Sequence, residues 1–144
     1  MIKTRSKWFE HFRNQEKTII NKVSYSSIDE QFLADAITYV EKRISEEELD
    51  LDLFASELCV SRSVLYRKLK SLTNYSPNDF IKKIRLKTAW NIMKEKKVTI
   101  AEVAFHVGIS NPKYFSTIFR KEYGMTPSKF MSNESNNEEE GDEE

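Results

Sequence analysis

An internal duplication fills more than half of the 144 residues of this sequence and limits the folds that it can adopt. A segment that begins near Leu53 returns near Ile100 with the same order of apolar and polar positions, first at an offset of 49 and then at an offset of 50. The matched pairs are Ala55 with Ala104, Val60 with Ile109, Ser61 with Ser110, Leu65 with Phe115, Leu69 with Phe119, Lys70 with Arg120, Pro77 with Pro127 and Phe80 with Phe130. Each copy has the pattern of a helix-turn-helix with a short closing helix, so the repeat predicts two groove-reading units in one chain.

The composition indicates helices rather than strands. The chain contains three Gly and three Pro, which is few for the turns of a β-rich protein, and residues that favour helices are abundant. A chain of this length can bury one ordinary core or two small lobes that share a helix. We therefore expect an all-α fold in which two helix-turn-helix subdomains, each a homeodomain-like three-helical unit, are joined by a central linker helix.

Charge is segregated along the chain, although the formal net charge is zero. Counted by segment, the net charge is +4 for residues 1–28, −7 for 29–52, +10 for 53–131 and −7 for 132–144. Local field rather than total charge attracts phosphate, so a polyanion would meet the duplicated region. A merely solvated surface would explain the number of basic residues but not their concentration in one region.

Few residues could support catalysis, a disulfide or a metal site. The single cysteine, Cys59, excludes an internal disulfide and leaves no cysteine cluster for zinc, which fits the cytoplasm. The histidines are His11 and His106, and the sequence supplies no partner that would activate Cys59 as a nucleophile. No stretch resembles a signal peptide or approaches the roughly 20 apolar residues of a membrane span. We expect no enzyme activity, no cofactor, no bound metal and no membrane contact by this segment.

We divide the chain into four segments by composition and periodicity. They are a linker or tail at 1–28, an N-terminal helix with an acidic connection at 29–52, the duplicated module at 53–131 and a disordered acidic tail at 132–144. In the first segment Trp8, Phe9 and Phe12 could form one apolar helical face. Such a trio is typical of contact with a neighbouring domain.

Helical periodicity predicts one long helix on each side of the first unit. Ser27 or Asp29 would cap an N-terminal helix whose apolar stripe extends to Ile44. Pro77 would begin the central helix, 77–95. Its inward side chains would be Phe80, Ile81, Ile84, Ala89, Trp90 and Met93, and its outward cations, available to solvent or phosphate, would be Lys82, Lys83, Arg85 and Lys87.

The two units place polar and cationic side chains on the outer face of the second helix of each pair. The first unit, 53–76, has its second helix at about 62–72, and the second unit, 99–131, has its second helix at about 111–123. The outward residues are Arg62, Ser63, Tyr66, Arg67 and Lys70 in the first unit, and Asn111, Lys113, Tyr114, Thr117, Arg120 and Lys121 in the second.

The turns of the two units differ at one residue. Gly108 suits a left-handed residue in the second turn, whereas Cys59 occupies the matching position of the first. The first turn therefore either holds a non-glycine in a less favourable conformation or has a different shape. Asn74, which follows the second helix of the first unit, tolerates left-handed geometry nearly as well as glycine.

Six segments of the duplicated module have an order and spacing far more specific than a lone helix-turn-helix. These segments are Ser61-Arg-Ser-Val-Leu-Tyr-Arg-Lys-Leu-Lys70, Ser76-Pro-Asn-Asp-Phe80, Ile84-Arg-Leu-Lys-Thr-Ala89, Val107-Gly-Ile-Ser110, Tyr114-Phe115 and Phe119-Arg-Lys-Glu-Tyr-Gly-Met-Thr-Pro127. Through them, residues 53–131 resemble the DNA-binding domain of the AraC/XylS-type transcriptional regulators. The helix before them, with Asp29-Glu-Gln-Phe-Leu33, resembles the segment that joins a receiver domain to this module in hybrid two-component regulators of Bacteroides-type bacteria.

The resemblance implies a transcription factor that inserts two recognition helices, one from each unit, into successive major-groove faces of one DNA site. Arg67 would bond guanine O6 and N7 together, a pair that discriminates between bases by about 1–3 kcal/mol. Pro112 and Lys113 are atypical at the start of the second recognition helix and leave its base preference open. Base contacts would fall to Ser63, Tyr66, Arg67, Lys113, Tyr114 and Thr117, and phosphate contacts to Ser61, Arg62, Lys68, Lys70, Asn111, Arg120 and Lys121.

Double-stranded DNA is the implied partner, with a homodimer of the full-length protein and RNA polymerase as further candidates. The alternative is a helical protein-interaction module with non-specific DNA affinity. The salt dependence of binding distinguishes these two functions. Affinity that depends on phosphate contacts falls steeply as salt rises, whereas the affinity of an apolar protein interface does not. The acidic tail could also fold back over the basic face and weaken non-specific DNA binding, although a solubilising tail explains its composition as well.

Overall fold

Helices joined by short turns make up the described part of the chain. The computed structural model describes residues 27–95 and 97–133 and contains no strand within them. The helices are α1 (Ser27–Lys42), α2 (Leu51–Glu57), α3 (Arg62–Thr73), α4 (Pro77–Glu95), α5 (Ile100–His106), α6 (Pro112–Tyr123) and a final helix, α7, at 127–133. The expected all-α fold is confirmed.

Contacts divide the described residues into two compact units. The first unit comprises 27–43 and 49–84, and the second comprises 44–48 and the residues from 85 onward. Helix α4 begins in the first unit and ends in the second, so it is the central linker helix that the sequence predicted. Each unit contains one helix-turn-helix, α2–α3 or α5–α6, and the expected pair of subdomains is confirmed.

Helix α1 belongs to the core of the first unit. It packs against α2 and α3, and Tyr39 stacks on Phe54 of α2 with ring centroids 4.7 Å apart. Asp29, one of the two candidate caps, lies in the first turn of α1, where a negative charge favours the helix dipole. The helix ends at Lys42, so the prediction that it runs to Ile44 was wrong. Ile44 packs instead against the apolar core of the second unit.

The first turn adopts left-handed geometry although it lacks a glycine. Cys59 has a φ of 60°, and the N–H of Val60 donates to the carbonyl of Ala55 over 3.0 Å. Of the two possibilities that the sequence left open, the structure therefore shows a non-glycine residue in the less favourable conformation. At the end of α3, Asn74 has a φ of 66°, as its tolerance for this region predicted.

The second turn has the same geometry, with one additional residue before its second helix. Gly108 has a φ of 79°, and the N–H of Ile109 donates to the carbonyl of Ala104 over 2.8 Å. The cap of α6 is Asn111, whereas the sequence alignment had placed Ser110 opposite the cap of α3. The insertion that changes the offset of the repeat from 49 to 50 therefore lies in this turn, at Ser110.

Aromatic side chains dominate the core of the second unit. The ring centroid of Trp90, on α4, lies 4.3 Å from that of Phe130 and 4.6 Å from that of Tyr123. The Phe119 ring lies 4.7 Å from Tyr123 and 6.0 Å from Phe130. Helix α7 thus closes the second unit through Phe130, which is buried. This is the short closing helix that the duplicated pattern predicted.

Arg85 departs from the outer face predicted for α4. The sequence grouped it with Lys82, Lys83 and Lys87 as available to solvent or phosphate, but only 5% of Arg85 is exposed. Its guanidinium donates hydrogen bonds to backbone carbonyls, which is how a buried charge is tolerated. Burial lowers the pKa of Arg85, and the negative charge of Glu46 acts in the opposite direction. Helical spacing is compatible with burial, because Arg85 lies four residues from each of the buried residues Ile81 and Ala89. Its charge led to the outward prediction, and the carbonyls that accept from it are distant in sequence.

The predictions for the chain ends fall mainly outside the described residues. The aromatic trio of Trp8, Phe9 and Phe12 lies there, as do residues 134–144 of the acidic tail. The two residues at 132–133, which the sequence assigned to that tail, continue helix α7. Within the two described ranges, no helix is long and apolar enough to cross a membrane.

Candidate nucleic-acid interface

Helix α3 buries one face and exposes a polar, cationic face. Leu65, Leu69 and Leu72 form the buried side. The five outward residues predicted from the sequence are all exposed, and 53% of Tyr66 is accessible. The exposed side borders an open, shallow groove of about 1030 Å³, lined by Ser61, Arg62, Ser63, Tyr66, Arg67, Lys70 and Ser71. A hydrogen-bonding and cationic surface of this kind can meet a phosphate backbone and base edges.

Ser61 holds the start of this face in place. Its Oγ accepts the N–H of Val64 over 3.2 Å, which satisfies one donor of the first turn of α3. The remaining N–H groups of that turn carry the partial positive charge of the helix N-terminus. A phosphate contact at this position therefore involves the backbone as well as the hydroxyl of Ser61.

The cations of this face differ in how they are held. Arg62 lies 3.8 Å from Asp52, but the two side chains are 63% and 72% exposed, so the ion pair contributes at most about 1 kcal/mol and can yield to phosphate. Among the described residues, no carboxylate pairs with Arg67. Lys68 is half-buried, with its Nζ 4.8 Å from the ring centroid of Phe32 on α1. Lys68 is thus partly engaged by the first unit itself.

Helix α6 repeats the arrangement with other side chains. Phe115, Ile118 and Phe119 form its buried side. The Oδ1 of Asn111 accepts the N–H groups of Lys113 and Tyr114 over 3.0 and 3.2 Å, so the Asn111 side chain is engaged as a cap. The outward residues predicted from the sequence are again all exposed: Asn111, Lys113, Tyr114, Thr117, Arg120 and Lys121.

Thr117 has its hydroxyl hydrogen committed inside the helix. The Oγ1 of Thr117 donates to the carbonyl of Lys113 over 3.0 Å, a common arrangement for threonine in a helix. Its methyl group and an oxygen lone pair remain available to a base edge. Apolar contact with a thymine methyl group is one use of such a side chain.

The two exposed faces are not copies of each other. At the offset of 50, Lys113 stands where α3 has Ser63, and Thr117 stands where α3 has Arg67. The exposed tyrosines also differ in register, because Tyr66 corresponds to a serine of α6. Equivalent positions therefore offer different hydrogen-bonding groups to DNA.

Of the residues that the sequence considered for chemistry, Cys59 and His106 lie within the described ranges and His11 lies outside them. Cys59 is exposed and unpaired by any disulfide, and His106 is exposed at the end of α5. Within the described ranges, no group of three or more His, Cys, Asp or Glu side chains could hold a metal ion. Two exposed apolar residues on the supporting helices were not singled out from the sequence: Leu53 and Phe105, at 60% and 74% exposure. Periodicity could have identified Phe105, because the buried residues of α5 lie on its other side.

The described geometry agrees with comparisons to known proteins. A family model described as a helix-turn-helix domain matches residues 54–133, which include most of α2 and all of α3 to α7. The histidine kinase P4 of Formosa agariphila is 37% identical over 132 residues, which cover 92% of this chain and 10% of that protein. This chain therefore spans about a tenth of the length of that relative.

Solved structures share the arrangement of helices. An AraC-type transcriptional regulator from Chromobacterium violaceum matches 73% of this chain and 93% of that one, with a TM-score of 0.68 and 25% identity. The C-terminal domain of AraT, a response regulator from Geobacillus stearothermophilus, matches 77% of this chain and 88% of that one. Its TM-score is 0.64 and its identity is 30%.

Proposed function

This chain belongs to the AraC-type helix-turn-helix family of DNA-binding domains of transcription regulators, and we propose that it reads two successive major-groove segments of one DNA site. The observation that carries the proposal is the pair of exposed recognition faces, on α3 and α6, each backed by a buried apolar side. The family is one of DNA-binding regulators and not of enzymes. Double-stranded DNA is therefore the partner that the two faces would contact.

The first recognition helix, α3, would contact bases through Ser63, Tyr66 and Arg67. All three line the same groove. Arg67 is the principal specificity residue, because its guanidinium has no carboxylate partner among the described residues and can donate to O6 and N7 of guanine together. We expect the DNA segment read by α3 to contain a guanine at the position opposite Arg67.

The second recognition helix, α6, would contact bases through Lys113, Tyr114 and Thr117. Thr117 stands at the position of Arg67 in the first helix but offers a methyl group and an acceptor. The two segments of the DNA site would therefore differ in sequence. An asymmetric site of this kind fixes the direction in which the domain lies on DNA.

Phosphate contacts would flank both faces and supply most of the salt-dependent affinity. They place the protein on the duplex without reading its sequence. The residues assigned to this role are Ser61, Arg62, Lys68 and Lys70 in the first unit, and Asn111, Arg120 and Lys121 in the second.

The domain would serve as the output of a two-component signalling protein. Two findings support this role: the similarity to a histidine kinase over 92% of this chain, and the similarity to the C-terminal domain of a response regulator. In this proposal an input domain elsewhere in the full-length protein controls DNA binding. A dimer of the full-length protein would place two such domains on DNA and raise the affinity through effective concentration. RNA polymerase is a candidate partner at the promoter.

Selection from a random duplex library with this chain tests the proposal. We expect an enriched site with two short blocks about one helical turn apart, roughly 10 base pairs. Binding to that site should weaken linearly in log–log form as salt rises. Arg67→Ala should reduce preference at one block only. Lys42→Ala is the matched control, because Lys42 is exposed at the end of α1, outside the proposed contact set.

The opposite results point to the alternative. Failure to enrich any site, with salt-sensitive binding to every duplex, would contradict sequence-specific reading. Binding that is insensitive to salt would indicate an apolar protein-interaction surface rather than a DNA interface.

A further inference from the structure

Arg85 joins two segments of the second unit that are far apart in sequence. Its Nη1 donates to the carbonyls of Ile44 and Val107 over 2.5 and 2.6 Å, and its Nη2 donates to the carbonyl of Glu46 over 2.6 Å. We propose that Arg85 is a positioning residue that ties the connecting segment 44–48 to the turn of the second helix-turn-helix and so fixes the start of α6. The consequence for DNA reading rests on the proposed function, but the structural claim does not.

The close fit around Gly108 supports this role. A Cβ at Gly108 would lie 2.7 Å from the carbonyl oxygen of Ile44 and 2.8 Å from that of Glu46, and it would overlap the guanidinium of Arg85. The backbone of the second turn therefore lies directly against the connecting segment. In the first unit the equivalent residue is Cys59, which is exposed. The contact is a property of the second turn and not of the duplicated pattern.

The turn leads directly to the recognition helix. Val107 follows the last residue of α5, and the N–H of Ile109 closes the turn onto the carbonyl of Ala104. Asn111, four residues after Val107, caps α6 and immediately precedes the exposed face of that helix. A shift of the carbonyl of Val107 would therefore move the start of α6.

The other side of the contact leads to helix α1. The connecting segment 44–48 begins two residues after α1 ends at Lys42, and its carbonyls accept from the same guanidinium as the turn does. A displacement at the end of α1 would pass along the backbone to Ile44 and from there to the second turn through the hydrogen bonds of Arg85. Through Arg85, the position of the second recognition helix depends on the connecting segment 44–48.

The guanidinium reaches these carbonyls from two nitrogens, Nη1 and Nη2. Arginine presents several N–H donors in a planar fork, whereas lysine presents a compact point charge. Arg85→Lys keeps the charge but cannot reproduce the fork, so buried carbonyls lose donors. Any general electrostatic attraction of Arg85 for DNA would survive this substitution. The variant therefore separates positioning from charge.

Amide hydrogen exchange tests the structural claim without DNA. In Arg85→Lys, we expect the amides of Gly108 and Ile109 to exchange at least about ten-fold faster, because local opening of the turn becomes easier. The amide of Val60, in the first turn, should keep its protection. Lys82→Ala, a half-buried cation on the same helix, should leave all three unchanged. Equal protection in Arg85→Lys and the parent chain would overturn the proposal.

Two further measurements guard against a trivial folding defect. The near-ultraviolet signal of Trp90, in the aromatic core of the second unit, should persist in Arg85→Lys. Loss of this signal would mean that the second unit needs Arg85 in order to fold, and it would overturn a positioning role. Gly108→Ala, which places a methyl group against Arg85, should reproduce the faster exchange. The effects of the two substitutions should be less than additive when combined, because both act on one contact.

DNA binding then tests the consequence for recognition. On a two-block site, Arg85→Lys should lose about ten-fold or more of its preference at the block read by α6 and keep its preference at the block read by α3. A uniform loss at both blocks, or no loss, would overturn the coupling to recognition. Absence of a two-block site for the parent chain would contradict the proposed function instead, and the exchange result would still decide the role of Arg85.

Discussion

Cys59 and Gly108 share a left-handed backbone conformation, with φ of 60° and 79°, although a side chain is disfavoured there. The position after each recognition helix shows the same contrast, with Asn74 at a φ of 66° and Gly124 at 78°. Asparagine tolerates this region, and cysteine has no comparable advantage. Cys59 therefore adopts the same left-handed backbone conformation as Gly108, and this conformation lowers the stability of the first unit.

Replacement of Cys59 by glycine should stabilise the first unit. We expect Cys59→Gly to raise the free energy of unfolding by about 0.5–1 kcal/mol, because relief of the left-handed strain exceeds the added entropy of glycine in the unfolded chain. Urea denaturation measures the change. Cys59→Ala is the control, since alanine keeps a Cβ and should leave the free energy of unfolding nearly unchanged. An equal gain for alanine would refute a backbone cause.

Sequence patterns predicted most, but not all, features of the individual helices. Apolar periodicity located the helices and their buried sides, because burial of one face repeats every turn. It misplaced Ile44, which continues the periodicity of α1 but lies beyond its end. Arg85 was misplaced by its charge rather than by its spacing, because it lies four residues from both Ile81 and Ala89 on the buried face of α4.

The alignment also paired Ser110 with Ser61, the cap of α3, whereas the cap of α6 is the next residue, Asn111. Both residue types are good caps, so Ser110 and Asn111 are each chemically suited to the role.

The two candidate caps of α6 can be separated by substitution. Asn111→Ala should lower the free energy of unfolding by about 1 kcal/mol, because two backbone N–H groups lose their acceptor. Ser110→Ala should change it by less than about 0.5 kcal/mol, as expected for an exposed residue outside a special contact. Thermal or urea unfolding of both variants measures the difference. The reverse order would mean that Ser110 caps the helix and that the repeat has a different register.

The residues of the recognition faces could be predicted from the sequence, but the interactions that already engage some of these side chains could be found only in the structure. Outward residues follow from the buried stripe of each helix, and all of them are exposed as predicted. The internal hydrogen bond of Thr117 and the packing of Lys68 on Phe32 depend on side-chain geometry that no residue spacing encodes. Both alter what these side chains can offer to DNA.

The charge distribution belongs to the whole molecule rather than to any element. Residues 53–131 carry a net charge of +10, while the chain as a whole is neutral. Binding to a polyanion depends mainly on the charges close to it, because salt screens charges beyond a Debye length of about 8 Å at physiological ionic strength. The acidic segments therefore need not prevent DNA binding by the basic region.

Removal of the two cations in the last turn of α6 should reduce the salt dependence of DNA binding by a predictable amount. In the double variant Arg120→Ala with Lys121→Ala, we expect the slope of log affinity against log salt to become shallower by about 2, or about 1 for each lost phosphate contact. Titrations of one duplex at several salt concentrations give the slope. Lys94→Ala, at the exposed end of α4, should keep the parental slope. An unchanged slope in the double variant would remove both residues from the phosphate interface.

A thermodynamic cycle on the selected site would show whether each recognition helix reads its own segment of DNA. The affinities of the parent chain and Arg67→Ala would be measured on the parent duplex and on duplexes altered at the guanine of the first block or within the second block. We predict that changing the guanine costs the parent chain about 1–3 kcal/mol and costs Arg67→Ala nearly nothing, while a change in the second block costs both proteins the same. Equal penalties for both proteins at the guanine would contradict the assignment of Arg67 and of α3 as a reading helix.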